Sequence, residues 1–481
     1  MRAKRTLIVL AGAALVLLCM SAGVALFMLD GRGIMPRALA PYLERRSQGH
    51  NPAIEAGGRW ASAWLLAQDR GTILPDSVTT LAAPVAPMPS SSASGAGVLA
   101  ATSEEVLAAV ARAEPGETIT LLPGTYRFAG KIDVNRPGQD GRPITLRAIE
   151  AGSVLIETTA VEGIKVSAPF WRFENLSVRG VCTQDSDCEH AFHVVGPAHH
   201  FIARNNTIFD FNAHFKINAE NRIYPDNGLI EGNTLSNSHP RHTANPVTPI
   251  DLVTASGWIV RHNFISDFIK AEGDGISYGG FFKGAGTGNV FEQNTVLCEH
   301  RLRGQPGQRV GLSLGGGGTG KDLCRDRRCV TEQEQGVIRA NLIASCSDAG
   351  IYINSAAGSV VDHNTLVDTS GIEVRFPETT ASVEGNLVDG PIRRRDGALV
   401  RENDNRSTPP AYAYLGYHPV RALFLASQRF DYRWAEDTPR RVEGVKVTAL
   451  PDLCAKTRPS PPAYGAFENF SACVTANARS R

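Results

Sequence analysis

An asparagine-centred repeat in the middle of the chain constrains the fold more than any other feature. Each copy is an asparagine, usually followed by a small and an aliphatic residue, and successive copies lie 31, 27, 30, 31, 47, 23 and 22 residues apart. The shortest intervals fit one bare turn of a β-helix, and the longer ones fit that turn carrying a loop. The repeated residues are Asn175, Asn206, Asn233, Asn263, Asn294, Asn341, Asn364 and Asn386. We therefore predict an all-β, right-handed parallel β-helix over residues 102–404.

Asparagine suits the corner of such a turn for two reasons. It tolerates the left-handed backbone that a sharp corner needs, and stacked asparagine side chains can hydrogen-bond along the solenoid. The leucine spacing of a leucine-rich repeat is absent, and so are the blade length and signature dipeptides of a β-propeller. With 42% apolar residues, the chain can bury the core of so large a solenoid.

Each turn also carries a second short strand with alternating apolar residues, as at residues 215–217 and 250–252. The alternation points the middle residue outward, and stacking at about 4.8 Å per turn aligns these residues in one stripe. The predicted stripe contains Lys165, Lys216, Asp251, Ser277, Ser313, Tyr352 and Glu373. We predict substrate contacts at its members Ser277, Ser313, Tyr352 and Glu373.

The N-terminus predicts a membrane anchor over residues 1–30. Residues 6–29 form an uninterrupted apolar run of 24 behind Arg2, Lys4 and Arg5, long enough to cross a bilayer with its basic flank inside. The alternative is a cleaved signal peptide. Residues 31–101 are predicted to be a membrane-proximal segment and a linker rich in Pro, Ser and Ala. The folded body would then lie on the periplasmic or extracellular side.

Both ends of the solenoid are predicted to be covered. Thr102 and Glu105 form a capping box at the start of a short helix with one apolar side. This helix is expected to close the N-terminal end of the β-helix. Residues 405–481 lack the repeat and are expected to form a C-terminal cap or a segment along the barrel, with a helix over residues 420–427.

The cysteines indicate disulfide bonds in an oxidising compartment. Nine are present, and eight remain once Cys19 of the predicted anchor is set aside. A zinc site is the alternative, although no pair has the two-residue spacing of a zinc knuckle. The expected pairs are Cys182–Cys188, Cys324–Cys329, Cys454–Cys473 and, by elimination, Cys298–Cys346.

A glycine-rich stretch around residue 275 holds the densest group of candidate catalytic residues. Glu272 and Asp274 lie two residues apart, so an extended backbone points both carboxylates to one face, near Asp251 of the preceding turn. Three such carboxylates are predicted to bind Ca²⁺. Lys283 or Lys216 is predicted to be the base that takes a proton from the substrate. The alternative is that the acidic pair and Lys283 are ordinary solvated loop residues.

At this stretch the sequence resembles polysaccharide lyase family six, of the chondroitinase B and alginate lyase type. The resemblance covers residues 103–390 in general pattern. Its specific part is an acid-x-acid pair, a following lysine and the Asn-Thr of the next turn, here Glu272, Asp274, Lys283 and Asn294-Thr295. It implies calcium binding by the acidic pair and a catalytic base at Lys283. The family's catalytic arginine has no counterpart in residues 312–315, and Arg309 or Arg303 is the substitute that this sequence offers.

The leading prediction for function is a membrane-tethered lyase or epimerase acting on a uronic-acid polysaccharide, with Ca²⁺ as cofactor. Two alternatives stay open: a β-helix that binds polysaccharide or protein without catalysis, and a glycoside hydrolase. Nucleic acid is not expected as a partner, because 49 basic residues are balanced by 48 acidic ones. The protein is expected to be a monomer.

Overall fold

Three long parallel sheets form the body of the protein. The computed structural model describes residues 16–17, 19–21, 23–71, 97–316, 318–442 and 451–473. In every full turn the chain visits sheets A, B and C in that order, and each strand pairs with its counterparts in the neighbouring turns. The described residues thus confirm the parallel β-helix that the repeat predicts.

The strands are short, and their bounds are as follows. Sheet A contains Gly97–Ala100, Thr118–Leu121, Ile144–Ala148, Trp171–Glu174, Ile202–Arg204, Leu229–Glu231, Ile259–Arg261, Val290–Glu292, Val337–Arg339, Ser359–Asp362, Thr380–Glu384 and Leu399–Asn403. Sheet B contains Gly124–Phe128, Val154–Thr158, Ser177–Gly180, Thr207–Phe209, Thr234–Ser236, Phe264–Ser266, Thr295–Leu297, Leu342–Ala344, Thr365–Val367, Leu387–Val388 and Arg406–Ser407. Sheet C contains Ile132–Val134, Glu162–Val166, His190–Val195, Ala213–Asn218, Ile250–Val253, Ile276–Lys283, Gln308–Leu314, Ile351–Asn354, Ile372–Arg375 and Ile392–Arg395. A small sheet joins Gly286–Thr287, Gln333–Glu334 and Ala356–Ala357.

A ladder of buried asparagines runs along the corner between sheets A and B. The side-chain amide of each member donates to the side-chain oxygen of the next at 2.9–3.0 Å. Each of these oxygens also accepts a backbone N–H from the preceding turn. The stacking predicted for the repeat is therefore confirmed. The ladder consists of Asn206, Asn233, Asn263, Asn294, Asn341, Asn364, Asn386 and Asn405.

The predicted backbone role of these asparagines is wrong. The left-handed conformation lies one residue earlier, for example at Asn205 with φ 56° and at Ala340 with φ 53°. Asn175, the first member of the predicted set, itself occupies this left-handed position with φ 62°. Leu176 stands where a ladder asparagine would be, and its N–H donates to Asn206 Oδ1. The repeat thus marks a hydrogen-bond position adjacent to the sharp corner.

Replacing Asn294 by Ala is expected to lower the free energy of unfolding by about 3 kcal/mol, because buried backbone groups lose their partners. The Asn294 side chain donates to Val260 O and accepts from the backbone N–H of Asn263, both at 2.9–3.0 Å. Urea unfolding measures the loss. The matched control is Asn403→Ala at an exposed strand position, and equal losses in the two variants would contradict the ladder's role.

A helical hairpin precedes the β-helix and is docked on it by buried ion pairs. Its helices are α1 (Pro36–Ser47) and α2 (Pro52–Arg70), and residues 23–31 before it are also helical. Arg37 of α1 pairs with Asp69 of α2 at 2.6 Å and with Asp368 of the β-helix at 3.0 Å. Asp368 also accepts from Arg303 at 2.9 Å. These residues lie in the interface between the hairpin and the barrel.

Residues 1–15, 18 and 22 of the membrane anchor predicted over residues 1–30 lie outside the residues that the structure describes. Within the described residues, no helix combines the length and the apolar character needed to cross a bilayer. The anchor stays a prediction from the sequence.

The N-terminal end of the β-helix carries the predicted capping helix, α3 (Ser103–Arg112). Thr102 accepts from the N–H of Glu105, as in a capping box, whereas the Glu105 carboxylate accepts from the N–H of Ala101, one residue before the cap. Val106 and Val110 are fully buried against the first turn, whereas Leu107 points to solvent.

The C-terminal tail packs along the barrel, which is one of the two arrangements that the sequence predicts; the other is a cap on the C-terminal end. Phe424, Phe467 and Phe470 cover the outward apolar residues of sheet B, such as Leu297 and Leu342. The helix predicted over residues 420–427 is wrong, because only one 3₁₀ turn forms there, Arg421–Leu423, followed by the strand Phe424–Ala426. This strand pairs with Asp431–Trp434, and α4 (Pro410–Tyr414) precedes it. Three further 3₁₀ turns are Asp185–Asp187, Lys321–Leu323 and Ser427–Arg429.

All four predicted disulfide bonds are present. They join Cys182–Cys188, Cys298–Cys346, Cys324–Cys329 and Cys454–Cys473. Cys19 is free. Four disulfides are typical of a protein that folds outside the reducing cytoplasm.

Candidate active site on the outward face of sheet C

The outward face of sheet C lies between two sets of loops. The chain enters this sheet through loops such as residues 181–189 and 237–249, and it leaves through loops such as residues 219–228. On the exit side Arg325 donates to both oxygens of Asp226, at 2.8 and 2.9 Å, which ties two of these loops together. We name the space between these two sets of loops the groove, with sheet C as its floor.

One residue from each strand of sheet C stacks in register along this floor, and we name this set the outward row. Lys165, Lys216, Asp251, Ser313, Tyr352 and Glu373 lie in it, as predicted. The full row is Asp133, Lys165, His193, Lys216, Asp251, Phe281, Ser313, Tyr352, Glu373 and Arg393.

The structure buries two of the predicted substrate contacts, Ser277 and Ser313. Ser277 does not belong to the outward row, because the long strand Ile276–Lys283 pairs so that Phe281 follows Asp251. Its side chain is fully buried, as is that of Ser313, which donates to Gly315 O at 2.7 Å. Neither hydroxyl can reach a sugar in the groove.

Three predicted residues meet on the same face. Lys216 Nζ forms an ion pair with Asp251 Oδ1 at 2.9 Å. Lys283 points outward from the following strand, and its ammonium lies 4.4 Å from the centre of the Phe281 ring. Because Phe281 is the neighbour of Asp251 in the row, two ammonium groups and one carboxylate lie on neighbouring turns of the floor.

A carboxylate–histidine pair stands beside them. His193 Nδ1 lies 2.5 Å from Glu162 Oε1, and His193 Nε2 lies 2.8 Å from Asn218 Oδ1. Both ring nitrogens therefore face oxygen acceptors. In the register, His193 lies between Lys165 of the preceding turn and Lys216 of the next. The hydrogen bond that Lys165 donates to Glu220 raises the pKa of Lys165, which keeps that ammonium charged. The imidazole thus lies between two lysines and is oriented by a carboxylate, an arrangement suited to proton transfer.

A second histidine completes a group that could hold a metal ion. Ligand atoms of Glu162, His190 and His193 lie within 4.8 Å of one another. Burial, together with the nearby His193 and Lys216, lowers the pKa of His190 to about 3, so its ring is neutral at physiological pH. Two imidazoles and one carboxylate match the ligand preferences of zinc better than those of calcium, which takes oxygen donors.

The predicted calcium ligands are not brought together. Asp251, Glu272 and Asp274 do not form a group of close metal ligands among the described residues. Asp274 instead accepts from Lys270 at 2.8 Å. Burial raises the pKa of Asp274, but the hydrogen bonds from Lys270 and from the N–H of Ile276 outweigh burial, and the pKa is lowered. The structure provides no shared ligand set for these three carboxylates, and calcium binding stays a prediction.

Glu272 lines a separate cleft of about 750 Å³ between the loops that enter sheet C. His239 and Arg241 contact Asp185 across this cleft, at 3.1 and 2.9 Å. Burial raises the pKa of Asp185, but the N–H of His242 and the His239 ring outweigh burial and lower it. The cleft is therefore polar and charged, and it borders the disulfide Cys182–Cys188.

Arg309, which the sequence offers as a catalytic residue, is buried in an ion pair with Glu299. Its side chain is about 1% exposed, and its guanidinium is occupied by Glu299 at 2.7 Å and by the carbonyl oxygens of Gln305 and Pro306. The other substitute, Arg303, donates to Asp368 in the hairpin interface. Both arginines stabilise the fold.

Tyr352 and Glu373 remain as predicted substrate contacts farther along the row. Both are partly exposed; the Tyr352 hydroxyl accepts from Asn354 Nδ2 at 3.0 Å, and Glu373 is paired with Arg393 and with Arg395.

Sequence reasoning missed His193 and Glu162, although the signal was present. His193 is a polar residue between the apolar Phe192 and Val194, just as Lys216 lies between Phe215 and Ile217. Residues 181–189 separate this strand from the preceding repeat, so the predicted stripe omits the turn that lies between Lys165 and Lys216.

The comparisons with known proteins point to the same part of the chain. Residues 100–223 match the family model of chondroitinase B. The match includes Glu162, His193 and Lys216 and ends before Asp251. No curated protein matches the sequence.

Solved structures with a similar fold include two polysaccharide lyases. Pectate lyase Pel9A is 14% identical, with a TM-score of 0.53 over 78% of this chain and 97% of its own. The alginate lyase from Paenibacillus sp. str. FPU-7 is 12% identical, with a TM-score of 0.38 over 64% of this chain and 99% of its own. The chain is thus a parallel β-helix with distant similarity to chondroitinase B, and the first of these structures supports the fold over most of its length.

Proposed function

We propose that the protein is a polysaccharide lyase that cleaves a uronic-acid polysaccharide bound along the outward row of sheet C. The observation that carries this proposal is the His193–Glu162 pair, placed between Lys165 and Lys216 on the outward face of sheet C. The match to chondroitinase B covers these four residues and supports the same reading. A long groove with cationic side chains suits an acidic chain of sugars better than a small compact ligand.

The proposed reaction is a β-elimination with His193 as the proton-transfer residue. The imidazole takes the proton from C5 of a uronate, the C4–O bond breaks, and a C4=C5 double bond forms. The imidazolium then returns its proton to the departing oxygen. Glu162 accepts from Nδ1–H of the neutral ring, which leaves the lone pair on Nε2; the substrate displaces Asn218 Oδ1 from Nε2, and Glu162 then stabilises the imidazolium that exists between these two steps.

Lys216 is proposed to neutralise the uronate carboxylate during this step. Removing a proton next to a carboxylate builds up negative charge, and a nearby ammonium lowers the energy of that state. Asp251 holds Lys216 in place through the 2.9 Å ion pair. Lys283 and Tyr352, farther along the row, would bind neighbouring sugar units, Lys283 through a carboxylate and Tyr352 by stacking.

The proposal includes a location outside the cytoplasm and a membrane tether. The four disulfides favour an oxidising compartment. The tether is supported by the apolar run over residues 6–29 of the sequence.

The test is a panel of uronic-acid polysaccharides, including alginate, pectate and chondroitin sulfate, incubated with the full chain. A lyase produces unsaturated sugar ends that absorb near ~232 nm, and we expect this absorbance to rise with at least one member of the panel. Reducing ends that appear without this absorbance would identify a hydrolase. Binding without any new ends would identify a non-catalytic binder, and either result would overturn the proposal.

A further inference from the structure

The outer face of helix α2 is apolar, and none of the residues that the structure describes covers it. The side of this helix that faces α1 and the barrel buries Ser62, Leu65 and Asp69. The opposite side is exposed and carries no charged residue. It consists of Ala53, Ala56, Gly57, Trp60, Ala63, Trp64 and Ala67.

Two large aromatic side chains dominate this face. Trp60 is 70% exposed and Trp64 is 45% exposed, and they lie four residues apart, one above the other on the helix. Exposed tryptophans on an amphipathic helix are typical of the boundary between lipid headgroups and acyl chains, where an apolar ring and a polar N–H are both satisfied. The face therefore has the chemistry of a surface that lies on a bilayer.

The end of the N-terminal helix lies against the same hairpin. Leu26 and Leu29 pack against Ala40, Leu65 and Tyr414. The Asp30 carboxylate also accepts from the backbone N–H of Ala411, which fixes the end of this helix to the body of the protein.

The other side of this N-terminal helix is open and apolar. Val24, Phe27 and Met28 are 58%, 78% and 55% exposed. They are the last part of the apolar run over residues 6–29 that predicts a membrane anchor. A membrane entered by this helix would thus lie next to α2.

Buried ion pairs fix the hairpin to the β-helix, so a membrane contact made by the hairpin would also orient the β-helix. Arg37 and Asp69 are almost completely buried, and Arg37 binds both Asp368 and the carbonyl oxygen of Cys346, at 3.0 and 2.7 Å. Exposed arginines on the hairpin suit anionic lipid headgroups: Arg59 lies on α2, where it pairs with Glu55 at 3.7 Å, and Arg45 and Arg46 lie in the last turn of α1.

We propose that the outer face of α2 lies on the membrane surface, with Trp60 and Trp64 inserted at the headgroup boundary. This proposal rests on the membrane tether in the proposed function, and it adds that the barrel is held against the bilayer by a second, interfacial contact. The β-helix then has one fixed orientation on the membrane.

Tryptophan fluorescence in lipid vesicles tests this proposal on the full chain. The protein is reconstituted in vesicles of phosphatidylcholine and phosphatidylglycerol whose acyl chains carry bromine, which quenches nearby tryptophans. Of the five tryptophans, Trp171 and Trp258 are fully buried in the β-helix, and Trp434 packs against Phe424 in the C-terminal tail, so quenching should come from Trp60 and Trp64. The double variant Trp60→Phe/Trp64→Phe is expected to lose nearly all lipid-dependent quenching, whereas the matched control Trp434→Phe keeps it.

The outcomes separate this proposal from the function on which it rests. If the protein sediments with vesicles but its emission is not quenched, or if the double variant is quenched as strongly as the wild type, the α2 contact is wrong and the tether stands. If the protein stays in solution when vesicles are sedimented, both the tether and the contact are wrong. Lyase activity, measured on the same samples, reports on the groove independently.

Discussion

Replacing His193 by Ala is expected to reduce the turnover of a uronate polysaccharide by about 10²–10⁴-fold, the usual contribution of a positioned acid or base. The loss should fall on kcat more than on KM, because Lys165 and Lys216 still bind the substrate. Glu162→Gln should give a smaller loss of the same kind, since the carboxylate acts by orienting the ring and stabilising its protonated form. The measurement is the rate of formation of unsaturated ends at saturating substrate.

Two further variants make this result decisive. His50→Ala removes an exposed histidine in the turn between α1 and α2, far from sheet C in the sequence, and is expected to keep full activity. Lys283→Ala tests the rival assignment from the sequence, in which Lys283 is the base. If lyase activity persists in His193→Ala but is lost in Lys283→Ala, the proton-transfer residue is Lys283 and not His193.

The largest effect on stability is expected from Asp368→Asn. Asp368 lies in the interface between hairpin and barrel, where its two oxygens accept from Arg37, Arg70 and Arg303. Burial raises its pKa, but these arginines and Arg421 outweigh burial and hold it well below the usual range. Removing the charge leaves buried guanidinium groups uncompensated, which costs about 3–5 kcal/mol in the free energy of unfolding.

Urea unfolding of the variant, with Asp437→Asn as an exposed control, measures this cost. Acid titration of the wild type gives an independent check. Arg421 and His418 outweigh burial and lower the pKa of Asp389, in the same network, to about 2. An aspartate with a depressed pKa contributes stability above its unfolded pKa of about 3.9, and this contribution is lost as the pH falls toward about 2. If Asp368→Asn is as stable as the wild type in urea, the network does not hold the hairpin on the barrel.

The sequence was most informative where one residue type repeats for one physical reason. The ladder asparagines satisfy backbone N–H groups of the adjacent turn, so their spacing carries the turn length, and the parallel β-helix follows from it. The left-handed corner was assigned one residue too late because it is filled by different residues, including Gln293 and His363. The disulfides were predictable because three of the four pairs are close in sequence.

The candidate site was harder to predict because register decides it. In the strand Ile276–Lys283, a shift of four residues replaces Ser277 by Phe281 in the outward row, and no local pattern marks which pairing is used. The acid-x-acid pair fell outside the row because it precedes that strand, in the loop that leads into sheet C. The hairpin interface was not foreseen either, since its partners, such as Arg37 and Asp368, are 331 residues apart.

The most direct test of the central claim is the mass of the products from a defined oligouronide cleaved by the full chain. Elimination forms its double bond without adding water, so we predict fragment masses that sum to the mass of the substrate. Fragments that together are heavier by one water molecule would show hydrolysis and contradict a lyase on sheet C.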